Sequence, residues 1–152
     1  MGRAPFQVHV IPYYRRNDGN IVYALFRRAD LGFWQGVAGG GEDDETPLEA
    51  ARRETYEEAG IPPTAAFMQL DTIEPIPVTA FSYSHIWGEK VYEIPQYGFG
   101  VKAESETLRL SPEHTEYLWL PYTAAVVLLK YDGNKKALWE LNQRLLGRGP
   151  RG

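Results

Sequence analysis

An α/β (α+β) fold is predicted by three features of the sequence. Two β-like segments joined by a turn open the chain, a helix with both ends marked interrupts an otherwise strand-rich middle, and an amphipathic helix lies near the C-terminus. Segment 6–14 alternates apolar Val8 and Val10 with polar Gln7 and His9, the period of a strand. Asn17, Asp18, Gly19 and Asn20 form a turn into a second strand, 21–28. There Ile21, Tyr23, Leu25 and Arg27 share one face and Val22, Ala24, Phe26 and Arg28 the other, so each face ends in an arginine. A short stretch, 33–38, leads to Gly39, Gly40 and Gly41, expected as a loop using backbone angles closed to other residues. A helix is expected over Pro47–Ala59. Thr46 is its N-cap, Pro47 suits the first helical position, Glu49 completes a capping box, and Gly60 before Ile61, Pro62 and Pro63 stops it. Segments 66–76, 78–86, 91–103 and 116–120 are rich in β-branched and aromatic residues and are expected as strands. Pro75, Pro77 and Pro95 mark edges or irregularity there. Segment 122–130 reads as a short helix and 135–146 as a longer one with Leu138, Leu141, Leu145 and Leu146 at helical spacing.

The chain of 152 residues is 43% hydrophobic and 24% charged, without repeats or a linker-like tract, and is expected as a single domain over 1–152 with a loose tail at 147–152. It contains neither an apolar run long enough for a membrane helix nor a basic start followed by an apolar stretch. A cytoplasmic protein with no membrane partner is the expectation. With no cysteine, thiolate metal sites and thiol nucleophiles are excluded, so a nucleophile must be water or a side-chain oxygen. A net charge of −4 argues against a broad surface for nucleic-acid polymers but leaves small phosphorylated ligands open.

Charge is distributed unevenly. Between Glu42 and Glu58 stand eight acidic residues against Arg52 and Arg53, so the remainder of the chain is slightly positive. On the helix Glu54, Glu57 and Glu58 fall within about 100° of arc, beside the apolar stripe of Leu48, Ala51, Thr55 and Ala59. Like charges so crowded disfavour ionisation unless a cation compensates, and an oxygen-only cluster suits Mg²⁺ or Mn²⁺. An ordinary solvated helix face with Glu–Arg pairs four residues apart is the other reading of the helix alone.

The complete pattern decides between them. Gly39, Glu45, Arg53, Glu54, Glu57, Glu58 and Gly60 stand at the spacing G-x5-E-x7-R-E-U-x-E-E-x-G-U, where U is a bulky aliphatic residue, with Ile61 last. Chance would place seven such fixed positions in a chain of this length on the order of once in a million. The pattern resembles the signature of the Nudix hydrolases, with one departure, Thr55 at the first aliphatic position. Threonine has the shape of valine and can return its hydroxyl to the preceding helical turn, so slightly looser packing is expected there.

The resemblance implies a Nudix-type α/β/α sandwich with a mixed sheet between helices, and a Mg²⁺-dependent pyrophosphohydrolase (Mn²⁺ as a substitute) cutting a nucleoside-like triphosphate into monophosphate and pyrophosphate, with hydrolysis of a nucleoside diphosphate linked to another group (ADP-ribose, a dinucleoside polyphosphate) or a non-catalytic nucleotide-binding module as the alternatives. It implies that Glu57 and Glu58 are principal metal ligands, that the Gly39 carbonyl adds an oxygen, that Glu54 is a ligand or general base, and that Arg53 pairs with Glu45 to hold the loop against the helix. Gly40 falls beside them with the substrate. The similarity extends outward through Arg27, Arg28, Ala29 and Asp30, Phe33 to Val37, and Glu113, His114, Tyr117, Trp119 and Leu120. These look like the branch acting on dihydroneopterin triphosphate and dATP. Arg27 and Arg28 can meet phosphates or simply close an edge strand, and Phe33 and Trp34 can stack on a flat heterocycle, with burial of Trp34 in the core as its alternative. Glu113 is a candidate additional metal ligand and Glu116 its competitor. His85 and His114 are left as structural histidines, and a homodimer, known among relatives, stays open.

Overall fold

The computed structural model describes residues 2–82 and 84–148. In chain order it has β1 (Arg3–Arg15), β2 (Ile21–Arg28), β3 (Trp34–Gln35), β4 (Val37–Glu42), α1 (Pro47–Ala59), β5 (Phe67–Pro77), β6 (Glu93–Lys102), β7 (His114–Leu120), α2 (Tyr122–Leu128) and α3 (Asp132–Leu145). The strands make one mixed sheet in the order β3-β2-β1-β6-β5, with β4 added to β1 and β7 to β2. β1 runs parallel to β6 and antiparallel to β2 and β4. Val8, Val10, Ala24, Phe26 and Phe99 bury one face of the sheet with Ala50, Ala51 and Ala59 of α1. Ile11, Tyr23, Leu25 and Leu70 bury the other with Ala125 of α2 and Leu138 and Leu141 of α3. The layers are therefore helix, sheet, helix, as expected. Among the described residues no helix is long and apolar enough to cross a membrane.

One edge of β1 is divided between two strands. Tyr13, Tyr14 and Arg15 pair with Tyr23, Val22 and Ile21 of β2, whereas Gln7 to Val10 pair with Gly40 to Val37 of β4. Beyond Tyr23, β2 leaves β1 and pairs instead with β3 and β7. The sheet splits here, bringing the end of β2, the glycines of β4 and the start of β7 around one opening.

Helix α1 begins and ends where the sequence predicts. The Thr46 side chain accepts from Glu49 N–H, Glu49 returns the bond to Thr46 N–H, and Gly60 closes the helix in the left-handed conformation at φ 74°. Gly39 to Gly41, expected as a loop, lie within β4, and none has a positive φ. They serve close approach instead: a Cβ on Gly39 would strike the Glu54 carboxylate and one on Gly41 the Phe6 ring. Segment 78–86, expected as a strand, contains short 3₁₀ turns at Val78–Ala80 and Ser84–Trp87. β5 and β6 already pair out to Pro77 and Glu93, so this aromatic stretch is their connection, tied down where Trp87 Nε1 donates to Arg3 O at 2.8 Å. At the C-terminus the backbone N–H groups of Gly147 and Arg148, the first residues of the expected tail, donate to Arg144 and Gln143 carbonyls and close α3. The rest of that segment, 149–152, lies outside the described residues.

His9 is buried under the β3–β4 junction, where its Nε2 accepts the Gly36 N–H at 2.9 Å. Burial lowers its pKa from 6.5 to about 4. The folded protein thus holds His9 neutral while the unfolded chain takes up a proton below pH 6.5, so stability is intact above 6.5 and falls as pH drops toward 4. Buried His114, also lowered, adds to the same slope. The raised Glu58 carboxyl pulls the other way over this range, so the test is a comparison: between pH 7 and pH 5 in urea unfolding, His9→Gln should lose less stability than the wild type, by at most about 1.4 kcal/mol per pH unit. Equal slopes in the two proteins would contradict it.

Candidate active site

The split in the sheet opens a cleft of about 680 Å³. Its acidic wall comes from α1, whose last turns lie against β4 because Gly39 has no side chain there. Arg53 organises the wall. Its Nε and Nη2 donate to Glu45 at 2.8 and 2.9 Å, Nη2 also to the Gly40 carbonyl at 2.9 Å, and Nη1 to Glu54 Oε1 at 2.8 Å. The guanidinium thereby ties the turn before α1, strand β4 and the helix together. It holds the Glu45 carboxyl below the usual range, and its own pKa is raised in turn.

Glu58 is 2% exposed, and neither carboxylate oxygen has a hydrogen-bond partner among the described residues. Burial, then the neighbouring Glu54 and Glu113, push its carboxyl far above the usual range. Glu57, at the mouth and 3.5 Å from Arg53 Nη1, is raised by desolvation and by Glu54. Among the described residues no three histidine or acidic side chains already enclose a common point in coordinating geometry. The set nevertheless fits a hard divalent cation: it supplies only oxygens, carries more negative charge than Arg53 balances, and holds two orphaned buried oxygens beside a glycine-lined strand.

The expectations on the flanks divide. Arg28 lines the cleft and pairs with Asp30, Nη2 lying 2.5 Å from Oδ2. Arg27, on the opposite face of β2, donates to the Gly32 carbonyl and does not line the cleft. Glu113 lines the cleft, whereas Glu116 stands in β7 opposite Arg27. Phe33 borders a hollow of about 560 Å³ that continues the cleft and shares Gln7, Arg28, Gln35 and Phe81 with it. Its ring meets Tyr131 edge-on at 5.2 Å, with Lys130 Nζ 5.1 Å from its centre. Trp34 lines neither space and packs on the core under α2 and α3. Both Arg27 and Trp34 thus fall on the α2–α3 face of the sheet, because strand alternation separates them from Arg28.

His114, left as a structural histidine by the sequence, lines the cleft. It starts β7, is 6% exposed, packs its ring against Phe26 at 5.4 Å in a tilted arrangement, and brings Nδ1 to 3.7 Å from Glu58 Oε1. Its position directly after Glu113 was the available signal. Thr55 is fully buried, and its hydroxyl has no partner among the described residues instead of returning to the preceding turn. Thr55→Val should therefore stabilise the fold by about 1 kcal/mol, read as a thermal midpoint higher by roughly 2–4 °C; a lower midpoint would show that the hydroxyl is satisfied.

Residues 5–141 match the family model of the NUDIX domain. The chain is 32% identical over 138 residues to the dihydroneopterin triphosphate diphosphatase of Escherichia coli K12, covering 90% of this chain and 91% of that protein. It is 30% identical over 141 residues to the asymmetrical bis(5'-nucleosyl)-tetraphosphatase of Mus musculus, covering 92% and 90%. The solved structure of a Listeria monocytogenes protein assigned to the same family superposes with a TM-score of 0.85 at 39% identity, over 95% of this chain and 96% of that one.

Proposed function

The chain belongs to the Nudix family, and from that premise we propose that it is a Mg²⁺-dependent pyrophosphohydrolase that cuts a nucleoside-like triphosphate, dihydroneopterin triphosphate or a purine triphosphate such as dATP, into the monophosphate and pyrophosphate. Its setting in this reading is the cytoplasm. The observation that carries it is the partnerless buried carboxylate of Glu58, set among Glu54, Glu57 and Glu113 at one end of a cleft whose other end is a ring-sized hollow. The enzymatic class is that of a Nudix hydrolase acting on phosphoanhydride bonds.

Glu57, Glu58, Glu54 and the Gly39 carbonyl would hold the cation, with Glu113 adding a carboxylate from across the cleft. A bound divalent cation supplies charge neutralisation at phosphate oxygens and a more acidic water. Arg53 does the positioning: by fixing one oxygen of Glu54 it leaves the other to ligate or to take the proton of the attacking water. Arg28 can exchange Asp30 for phosphate oxygens, which accept the same two-pronged geometry.

The test is a product-resolved assay with Mg²⁺ across dihydroneopterin triphosphate, the purine triphosphates, a dinucleoside tetraphosphate and ADP-ribose. Pyrophosphate from a triphosphate, lost in Glu57→Gln, is the expected result. The mouse relative favours a second reading, a dinucleoside polyphosphate; cleavage of that substrate alone would replace the substrate class, and absence of product from all would overturn catalysis.

A further inference from the structure

A polar row crosses the sheet between the acidic wall and the far end of the hollow. Gly40 of β4 pairs with Gln7 of β1, Gln7 with Gln96 of β6, and Gln96 with Glu74 of β5. Register partners on adjacent strands project to the same face, here the face that carries α3. At about 4.8 Å per strand, the row runs on the order of 14 Å from the Arg53-bound carbonyl to Glu74. Gln7, Gln96 and Glu74 all line the hollow, as does Asn134 from the first turn of α3. Asn134 is 3% exposed and its Oδ1 accepts from Gln96 Nε2 at 3.3 Å, which leaves its amide NH₂ without a protein acceptor among the described residues. The Glu74 carboxylate lies directly against Gly133, where a Cβ would overlap it, and receives no hydrogen bond from the described residues. A half-buried carboxylate and a buried amide donor thus face one hollow beside the rings of Phe33 and Phe81.

We infer that Glu74, with Asn134 and Gln96, reads the edge of the substrate's ring and selects a 2-amino-4-oxopyrimidine, the pattern shared by guanine and pterins, over adenine. That edge presents a ring N–H and an exocyclic NH₂ side by side, two parallel donors for one carboxylate, with a carbonyl next to them for the Asn134 amide. Adenine places a ring-nitrogen lone pair beside its amine, which the carboxylate repels. The inference rests on the proposed function for which end of the cleft holds phosphate, and it makes the acidic residue at the far end a specificity determinant.

Equilibrium binding of GMP, IMP, AMP and neopterin to the intact protein by calorimetry tests it without turnover. IMP keeps the ring N–H and carbonyl but lacks the amine. Affinity should fall from GMP to IMP to AMP, with GMP tighter than AMP by roughly tenfold or more; whether neopterin or GMP binds more tightly assigns the ring. Glu74→Gln should weaken GMP and neopterin by a similar factor and leave AMP unchanged or improved, with the thermal midpoint as a control for folding. Equal affinity for GMP and AMP in the wild type, equal weakening of both in the variant, or no measurable binding of any of the four at millimolar ligand would overturn it. Failure of the hydrolytic reading shows separately, as absence of pyrophosphate from every triphosphate.

Discussion

Glu57→Gln should lower the rate of pyrophosphate release by on the order of 10²–10³ while leaving the thermal midpoint unchanged or slightly higher. The side chain is 55% exposed at the mouth of the cleft, so the amide fits without repacking. Its charge is disfavoured in the folded protein, first by desolvation and then by Glu54, so neutralising it relieves repulsion. The same charge is what a cation and the phosphates it neutralises would require. Steady-state kinetics against Mg²⁺ concentration and thermal unfolding check both halves. A variant with near wild-type rate would remove Glu57 from the machinery, and one that fails to fold would show that its carboxylate is structural.

Arg53→Met should cost both stability and rate. The guanidinium binds Glu45 twice, Glu54 once and the Gly40 carbonyl once, and all of these groups are at least partly buried. Removing it leaves the cluster without its cation. Breaking a partly buried network of this kind costs about 2–3 kcal/mol, visible in urea unfolding without Mg²⁺. Part of that loss should return when Mg²⁺ is added, because the cation takes over the neutralisation. Arg53→Lys should recover less than half of the stability, since an ammonium cannot place donors on β4, the preceding turn and the helix together. Full recovery by lysine would show that charge alone matters at this position.

What was legible in the sequence follows from how local each signal is. The ends of α1 are set by residues within four positions of one another, Thr46 with Glu49 and Gly60 with Tyr56, and they emerged as predicted. The pairing of Arg53 with Glu45 was expected through resemblance, and the hydrogen bonds are there. Glycine misled at 39–41 because the residue answers two needs, unusual backbone angles and close approach, and the second depends on Glu54 and Phe6, which the local sequence does not reveal. Segment 78–86 has strand-like composition but, among its described residues, pairs with no strand, and only tertiary pairing decides that. Alternation in β2 separated Arg27 from Arg28 correctly, yet which face would meet α1 depended on the packing of the whole sheet. Gln96, Glu74 and Asn134 were invisible as a group, since the register of β6 against both neighbours brings them together.

The parallel pairing of β1 with β6 also bears on how the molecule reaches this state. Gln7 and Gln96 are partners although about ninety positions separate them along the chain, whereas β1–β2 and β5–β6 are connected antiparallel pairs. Nearby pairs of this kind close in microseconds, but joining the two halves carries the loop-closure entropy of the whole intervening chain. Both the carboxylate cluster and the ring hollow draw residues from the two halves, Glu54 with Glu113 and Phe33 with Glu74, and a topology with such non-local pairing is expected to refold in the slower, millisecond-to-second regime. Until the halves join, neither has a complete cleft, so catalytic competence waits on that joining.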